Sequence, residues 1–298
     1  MININIILTI GRRALPTIAS GFKLSNGVTM PCIGLGTWQV PDDDVLVKAI
    51  HSAVNLGYRH IDTAHIYGNE RSVGVAVRTC GVPRSKLFVT SKLWNTDRGY
   101  KETLEAFERT MDALQIGYLD LFLMHWPAAR GEAMTWQSIN SGTWRAMEEI
   151  YRRGRVRAIG VSNFLVHHLV PLLARAEVVP MVNQIEFHPG YMQKATFDFC
   201  RSHGIQVEAW SPLGRGALIH HPVLVELAQQ QHGVTTAQIA LRWCLQHGVA
   251  AVPKSLNPER QKQNAELFSF NLTPEEMERL DNLPQACFSG LDPDHVTF

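Results

Sequence analysis

A repeating alternation of short apolar runs and helix-period segments constrains the fold of this chain more than any other feature. Each run is nearly continuous in apolar character and ends in one or two polar residues. Eight such runs occur, at Ile33–Gly36, Arg59–Asp62, Leu87–Lys92, Leu119–His125, Val156–Ser162, Met181–Glu186, Ile205–Ser211 and Val249–Ser255. Continuous apolar runs are typical of parallel strands that are covered on both faces. The pattern therefore predicts an α/β protein with a parallel sheet.

Helices are predicted between these strands from start signals and from amphipathic spacing. Asp42–Asp44 opens one helix, and Thr273-Pro274 followed by two acidic residues opens another, with proline at the first helical position. The segment Lys101–Leu114 places its apolar residues on one face. Only about sixteen residues separate His125 from the next predicted helix, which is expected to begin near Thr143.

Eight strands that alternate with helices over about 260 residues favour a (β/α)8 TIM barrel. The competing fold is a doubly wound sheet, whose dinucleotide fingerprint would be G-x-G-x-x-G. The segment that starts at Gly34 has Gln39 in place of the third glycine, and Pro41 separates it from the next helix. An N-terminal β-hairpin is predicted before the barrel, because Asn26-Gly27 lies between the apolar runs 22–24 and 28–30.

The chain is predicted to form one domain, since no linker divides it. Residues 1–20 carry Arg12 and Arg13 but no acidic residue, and are expected to be a disordered extension. An organelle-targeting segment is the alternative for these residues. Residues 21–298 then form the single barrel domain.

Composition excludes several classes of function. Lys and Arg number 28 and Asp and Glu number 27, so the net charge is +1 and a nucleic-acid partner is not expected. No apolar run reaches the ~18 residues of a membrane helix. The five cysteines are scattered without a C-x-x-C pair, which predicts reduced thiols, a cytoplasmic location and no metal site.

Polar residues at the strand ends are the candidate functional groups, because barrel enzymes carry their active sites there. In chain order the strand ends carry Asp62, Lys92, His125, Ser162-Asn163, Gln184 with Glu186, Trp210-Ser211 and Lys254-Ser255. A buried lysine needs a carboxylate partner, and Asp62 lies one strand away from Lys92. Tyr67 follows five residues after Asp62.

Asp62, Tyr67, Lys92 and His125 together predict a site that protonates an oxygen. An ammonium beside a phenol should lower the pKa of the phenol, and a histidine can hydrogen-bond the substrate oxygen. Such a site holds no hydride, so a cofactor must supply the reducing equivalents. Taken singly, His125 could be a core histidine and Asp62 a helix N-cap.

These residues resemble the aldo-keto reductases, from about Phe22 to the C-terminus. The segments that carry the resemblance are 57–64, 67–70, 89–95, 119–127, 160–164, 183–189 and 253–255 with Arg260 and Asn264. The chain is most similar to the branch of 2,5-diketo-gluconate reductases and protozoan prostaglandin F synthases. The resemblance implies a monomeric TIM barrel that uses NADPH/NADP+ to reduce a small carbonyl compound.

The resemblance also implies residue roles. Tyr67 would be the general acid, Lys92 and Asp62 would tune it, and His125 would orient the carbonyl. The implied cofactor contacts are Gly36, Thr37, Asp62, Ser162, Asn163, Gln184, Trp210, Ser211, Leu213, Lys254, Ser255, Arg260, Gln263 and Asn264. Among these, Lys254, Ser255 and Arg260 would hold the 2′-phosphate, while Gln263 stands where many relatives have glutamate.

The substrate pocket would be lined by Trp38, Tyr67, Trp94, His125 and Trp126. The segment after His125 and the tail after Leu283 are short, which predicts an open, tolerant pocket. Substrates that fit include aldehydes, α-dicarbonyls, quinones, keto-sugars and a prostaglandin endoperoxide. Two alternatives remain at this point: a non-catalytic binding or structural protein on the same fold, and a lyase that uses Lys92 as a Schiff base.

Overall fold

The central element is a closed sheet of eight parallel strands. The computed structural model describes residues 17–132, 134–296 and 298. The sheet strands are β3 (Gly34–Gly36), β4 (His60–Asp62), β5 (Phe88–Leu93), β6 (Leu119–Met124), β7 (Val156–Ser162), β8 (Val182–Glu186), β9 (Gln206–Trp210) and β10 (Ala250–Ala251). They are neighbours in chain order, and the parallel bridge between Ile33 and Ala251 closes the ring. The predicted (β/α)8 barrel is confirmed.

Helices surround this barrel. They are α1 (Asp44–Asn55), α2 (Glu70–Thr79), α3 (Tyr100–Leu114), α4 (Trp136–Arg152), α5 (Val166–Leu173), α6 (Lys194–Ser202), α7 (Pro222–Glu226), α8 (Thr236–Gln246), α9 (Pro258–Ala265) and α10 (Pro274–Asp281). The Asp43 carboxylate caps α1, and Thr273 forms a capping box at the start of α10. Both predicted helix starts are therefore confirmed.

One predicted helix start was wrong. Helix α4 begins at Trp136, not near Thr143, so the segment after His125 is shorter than expected. The Arg98 guanidinium fixes this segment, because it donates to the Pro127 carbonyl and to the Asn140 side chain and also binds Glu132. The Asn140 side chain also donates to the Pro127 carbonyl, so this hydrogen-bond network ties the start of α4 to the end of the segment after His125.

The predicted hairpin is formed by β1 (Gly21–Lys23) and β2 (Thr29–Pro31), which pair antiparallel. Gly27 takes a positive φ of 89° at the turn, a conformation that glycine adopts without strain. Leu24 and Met30 of the hairpin are buried against residues at the strand beginnings, including Phe88 and Met181. The hairpin thus covers the amino end of the barrel and leaves the carboxyl ends of the strands for the site.

The start of the domain is described only in part. Residues 1–16, most of the predicted extension, lie outside the described residues, so the extension stays a prediction. Ile18 is buried in the main core, and the Cys32 amide donates to the Ser20 carbonyl. Core packing therefore includes residues that precede the hairpin.

Candidate active site

Asp62, Lys92 and Tyr67 form one contact network at the carboxyl ends of β4 and β5. The Lys92 side chain is 0% exposed, and its Nζ donates to Asp62 Oδ1 at 2.6 Å and to the Thr63 carbonyl at 2.9 Å. Nζ also lies 3.5 Å from the Tyr67 hydroxyl. Tyr67 ends a 3₁₀ turn over His65–Tyr67 that follows β4 directly. The structure therefore brings the three predicted side chains together.

Burial and charge act in opposite directions on this network. Burial would lower the pKa of Lys92, but the charges of Asp62 and Tyr67 outweigh it and raise the pKa, so the lysine stays an ammonium. Burial raises the pKa of Tyr67, and Lys92 offsets part of this effect. The ammonium does lower the pKa of the phenol, as expected, but desolvation raises that pKa by more. The predicted net lowering of the Tyr67 pKa is therefore wrong.

His125 completes the group from the end of β6. Its ring lies edge-on to Tyr67, with centroids 5.8 Å apart, and edge-on to Trp94 at 5.3 Å. Burial, together with the Lys92 charge, lowers the pKa of His125 well below its usual range. The imidazole is therefore neutral at physiological pH and carries one N–H. Its Nδ1 is buried with no hydrogen-bond partner among the described residues.

A second cluster lies at the ends of β7, β8 and β9, where Ser162, Asn163, Gln184 and Trp210 touch one another. Asn163 Nδ2 donates to the His125 carbonyl at 2.9 Å, and its Oδ1 accepts from Trp210 Nε1 at 2.8 Å. Gln184 Nε2 donates to Asp62 Oδ2 at 2.8 Å, which joins this cluster to the first. Two amide groups and a hydroxyl group thus lie side by side at this edge of the barrel.

Backbone strain marks the same region. Asn163 and Ser211 have φ values of 64° and 46°, in the left-handed region that favours glycine. Such conformations cost about 1–3 kcal/mol and cluster at binding sites. Leu213 is partly buried and follows Ser211 in the loop after β9.

Gly36 and Thr37 serve the barrel itself at the end of β3. A Cβ on Gly36 would lie 2.9 Å from the Val252 carbonyl oxygen, so closure of the barrel requires glycine there. The Thr37 amide and hydroxyl each donate to the Asp62 carbonyl at 3.0 Å. These contacts fix the backbone of Asp62. Gly36 and Thr37 therefore have a structural role in the barrel, apart from any contact with a cofactor.

Lys254, Ser255 and Arg260 lie together after β10, around the start of α9. Lys254 and Arg260 are exposed, and within the described residues neither forms a salt bridge. Ser255 is buried, and Asn257 caps the helix by accepting from the amides of Glu259 and Arg260. Further along α9, Gln263 is half-buried and Asn264 is buried. Two free cations beside a hydroxyl suit a phosphate dianion.

The aromatic wall at the barrel mouth is more covered than the sequence suggests. Phe298, the last residue, lies 5.3 Å from the Trp94 ring and 5.4 Å from the Trp126 ring, between centroids. Trp126 is buried, whereas Trp38 is 39% exposed and lies under the Arg215 guanidinium at 5.0 Å. The end of the tail therefore lies against two of the aromatic residues predicted to line the pocket.

A clamp formed by His167, His168 and Asp294 holds the tail on this course. His167 Nε2 lies 2.8 Å and His168 Nε2 lies 3.2 Å from Asp294 Oδ1. The Leu165 amide donates to His168 Nδ1 at 3.1 Å, so the neutral imidazole carries its proton on Nε2, facing the carboxylate. A metal at this nitrogen would have to displace that proton. The absence of a metal cofactor stays a prediction.

Sequence reasoning missed two further features of the site. Glu208 is a buried acidic residue within β9, and its place inside an apolar run was a signal that could have found it. Phe298 gave no signal, because a single terminal aromatic residue has no periodicity. Both contact groups that sequence reasoning did identify.

A (β/α)8 barrel with buried polar groups at the carboxyl ends of its strands has the architecture of a barrel enzyme. The chain belongs to the Aldo/keto reductase family, whose family model matches residues 32–284. It is an NADPH-dependent oxidoreductase that acts on carbonyl groups, as predicted. None of the helices among the described residues has the length and apolar character to cross a bilayer.

Named relatives cover nearly the whole chain. Glyoxal reductase of Bacillus subtilis (strain 168) is 48% identical over 276 residues, which are 93% of this chain and 97% of that protein. The 9,11-endoperoxide prostaglandin H2 reductase of Trypanosoma cruzi (strain CL Brener) is 44% identical over 275 residues, 91% of this chain and 94% of that protein. The crystal structure of the Gox0644 D53A mutant in complex with NADPH aligns with a TM-score of 0.85 at 38% identity. The alignment covers 93% of this chain and 98% of that chain.

Proposed function

We propose that this enzyme reduces small aldehydes and α-dicarbonyls to alcohols, with Tyr67 as the general acid. The observation that carries the proposal is the contact between Lys92 Nζ and both Asp62 and Tyr67, with the neutral His125 ring edge-on to the phenol. The four side chains lie at the same end of the barrel, where barrel enzymes carry their active sites. We propose that they act together on one substrate oxygen atom.

Each side chain has a separate task in the proposed reaction. The His125 N–H donates to the carbonyl oxygen and orients it. The Tyr67 hydroxyl transfers its proton to that oxygen as the alkoxide develops, a contact strengthened only in the transition state. The Lys92 ammonium stabilises the resulting phenolate, and the Asp62 carboxylate holds the ammonium in place.

The residues present fit NADPH. The dihydronicotinamide, when bound, supplies the hydride to the carbonyl carbon. Ser162, Asn163 and Gln184 would hold the carboxamide, and the half-buried Trp210 ring would stack on the nicotinamide. Lys254, Ser255 and Arg260 would hold the 2′-phosphate, and Gln263 and Asn264 lie beyond them on α9. Ser211 and Leu213 would approach the pyrophosphate.

The aromatic pocket supports a small substrate. Phe298 lies tilted on Trp94 and edge-on to Trp126, so three aromatic rings form an apolar corner near His125, a lining that suits a small carbonyl compound. The name of the Bacillus relative indicates a two-carbon dicarbonyl, and the name of the trypanosomal relative indicates a prostaglandin endoperoxide. The apolar corner favours the smaller of these two substrates.

A substrate panel tests the proposal. Purified enzyme is given NADPH with glyoxal, methylglyoxal, an aromatic aldehyde, a keto-sugar or prostaglandin H2, and NADPH oxidation is followed by absorbance. We expect the highest kcat/KM with α-dicarbonyls and no turnover without a carbonyl compound. Exclusive activity on the endoperoxide would overturn the substrate class. No activity on any substrate would overturn the catalytic proposal.

Localisation and assembly are also proposed. All five cysteines are free thiols, which supports a reducing compartment such as the cytoplasm. We propose a monomer, the assembly that the resemblance to the aldo-keto reductases implies. Sedimentation at micromolar concentration tests the assembly state, and a stable dimer would contradict it.

A further inference from the structure

Glu208 is buried inside the barrel, beneath the proposed cofactor site. It lies in β9 with 0% exposure, and a charge or polar group in such a place is costly unless it has partners. Gln184 Nε2 donates to Glu208 Oε2 at 2.7 Å, and the other oxygen, Oε1, lies 3.5 Å from His60 Nδ1. Neither Oε1 nor His60 Nδ1 has another hydrogen-bond partner among the described residues.

One proton between Glu208 and His60 satisfies both buried atoms. Burial together with the Asp62 charge raises the pKa of Glu208 to about 8, and burial lowers the pKa of His60 to about 4. Both directions favour a neutral pair, with the proton on the carboxyl group at neutral pH. In either position of the proton, Oε2 of Glu208 remains the acceptor for Gln184.

The surroundings of the pair bring few other charges. Asp62 on β4 and Lys92 on β5 are the charged groups that act on both Glu208 and His60, and the Pro31 backbone also acts on His60. From β8 the facing group is the uncharged Gln184 amide, and from β10 it is Ala250, which pairs with Glu208 in the sheet. The Thr90 hydroxyl lies 3.0 Å from His60 Nε2.

The Gln184 amide is fixed by two carboxyl groups. Its nitrogen donates to Asp62 Oδ2 at 2.8 Å and to Glu208 Oε2 at 2.7 Å, so both amide hydrogens are used. Rotation of the amide by 180° would place its oxygen against the acceptor oxygens of both groups. The amide oxygen is therefore held as an acceptor for some other donor.

We propose that Glu208, braced by His60, is a positioning residue that fixes the Gln184 amide so that its oxygen accepts from the nicotinamide carboxamide. The inference rests on the proposed role of Gln184 in cofactor binding. Asp62 alone would leave one amide hydrogen free and the amide less firmly oriented. Glu208 supplies the second anchor from below, and does so without touching the cofactor.

The test compares NADP+ with an analogue that carries a methyl ketone in place of the carboxamide. The analogue lacks the N–H groups that a fixed Gln184 oxygen would accept. Dissociation constants are measured by tryptophan fluorescence quenching for the unchanged enzyme, Glu208→Gln and Glu208→Met. Glu148→Gln is the matched control, since Glu148 is a buried carboxylate on α4 held by the Glu177 and Val178 amides.

We expect the unchanged enzyme to prefer NADP+ by about 2–10-fold, the scale of one hydrogen bond. Glu208→Gln keeps an acceptor oxygen for Gln184 and an N–H for His60, so it should retain that preference. Glu208→Met should reduce the preference toward 1, while Glu148→Gln leaves it unchanged. Retention of the full preference in Glu208→Met would overturn the proposal, and so would its loss in a folded Glu208→Gln.

Failure of the underlying function gives a different result. If the unchanged enzyme binds NADP+ but shows no preference over the analogue, then Gln184 does not accept from the carboxamide, and both the proposed contact and the role of Glu208 fall. Should Glu208→Met not fold, His60→Gln removes the brace while Glu208 remains. A drop in cofactor preference is then expected, and an unchanged preference would overturn the role of the pair.

Discussion

The Tyr67 hydroxyl lies 3.5 Å from Lys92 Nζ, whereas the same nitrogen lies only 2.6 Å from Asp62. The ammonium is thus tightly bound to the carboxylate and loosely bound to the phenol. Catalytic hydrogen bonds are often long before substrate binds. The Tyr67 hydroxyl can therefore donate its proton to a substrate oxygen, and the Lys92 ammonium is close enough to stabilise the phenolate that results.

Substitution of Tyr67 by phenylalanine should abolish proton donation and leave cofactor binding nearly intact. The phenol contacts the substrate oxygen most strongly in the transition state, so we expect kcat to fall by about 10²–10⁴-fold. Tyr151→Phe is a matched control, because the Tyr151 hydroxyl binds Asn26 of the hairpin, at the other end of the barrel. Near-normal kcat in Tyr67→Phe would remove this residue from the role of acid.

Substitution of Lys92 by methionine should move the alkaline limb of the pH–rate profile. Tyr67 acts in its protonated form, so reduction slows as pH rises through its pKa. The Lys92 charge lowers that pKa against the larger effect of burial, so its removal shifts the limb to higher pH. At neutral pH we expect kcat to fall by about 10²-fold or more, since the phenolate loses its stabilising charge.

The same variant leaves Asp62 as a buried carboxylate without its cation. Such a change destabilises a protein by about 3–5 kcal/mol. The double variant Asp62→Asn with Lys92→Met should recover much of this stability in urea unfolding but not the activity. An unchanged pH profile at near-normal rate would mean that the pair is structural only.

Sequence could predict the barrel because each buried strand is a continuous apolar run. The same logic located Asp62, Lys92 and His125, since a polar residue at the end of such a run needs a partner or a function. Helix α4 was misplaced because Arg98, Glu132 and Asn140 set its start through a buried network, and distant contacts of this kind leave no local pattern.

The net pKa of Tyr67 could not be predicted for a related reason. Sequence identifies the neighbouring ammonium but gives no measure of how deeply the phenol is buried. The position of Phe298 depends on the path of the tail, which Asp294 fixes through His167 and His168. A clamp between residues so far apart in sequence appears only in three dimensions.

Removal of the two free cations after β10 should reduce discrimination between NADPH and NADH. Lys254→Gly with Arg260→Ala is expected to weaken NADPH binding by about 10–100-fold, since two charge-assisted contacts to the 2′-phosphate are lost. NADH binding should change little. Lys262→Ala on the same helix is the control, because Lys262 lies 4.0 Å from Glu266 and is already paired. If fluorescence titration shows equal losses of affinity for NADPH and NADH, these two residues do not bind the 2′-phosphate.

Truncation of Phe298 should widen the substrate range. Phe298→Ala removes the ring that lies against Trp94 and Trp126. We expect kcat/KM to rise severalfold for bulky aromatic aldehydes and KM to rise for glyoxal, which loses part of its apolar wall. Met134→Ala is the control, because that side chain is 96% exposed. An unchanged ratio of the two kcat/KM values would show that the tail does not limit substrate size.

Glu208→Gln should change how stability depends on pH. Burial raises the pKa of Glu208 to about 8 in the folded chain, above its ordinary value of 4.5. Between these values the unfolded chain has lost the proton and the folded chain still holds it, so the free energy of unfolding falls as pH rises. Glutamine cannot lose a proton and removes this slope.

The variant should therefore gain stability relative to the unchanged enzyme as pH rises from about 5.5 toward 8. This interval lies between the ordinary pKa of a glutamate and the raised pKa of Glu208. We expect a relative gain of about 3 kcal/mol across it, since one proton contributes at most ~1.4 kcal/mol per pH unit. His60, whose pKa is lowered to about 4, produces the opposite slope below pH 6.5, and that slope is present in both proteins. Urea unfolding at pH 5.5, 7 and 8 measures the difference. A difference that is constant across this range would show that Glu208 is already ionised in the folded barrel, since only a proton held by the native state can produce the slope.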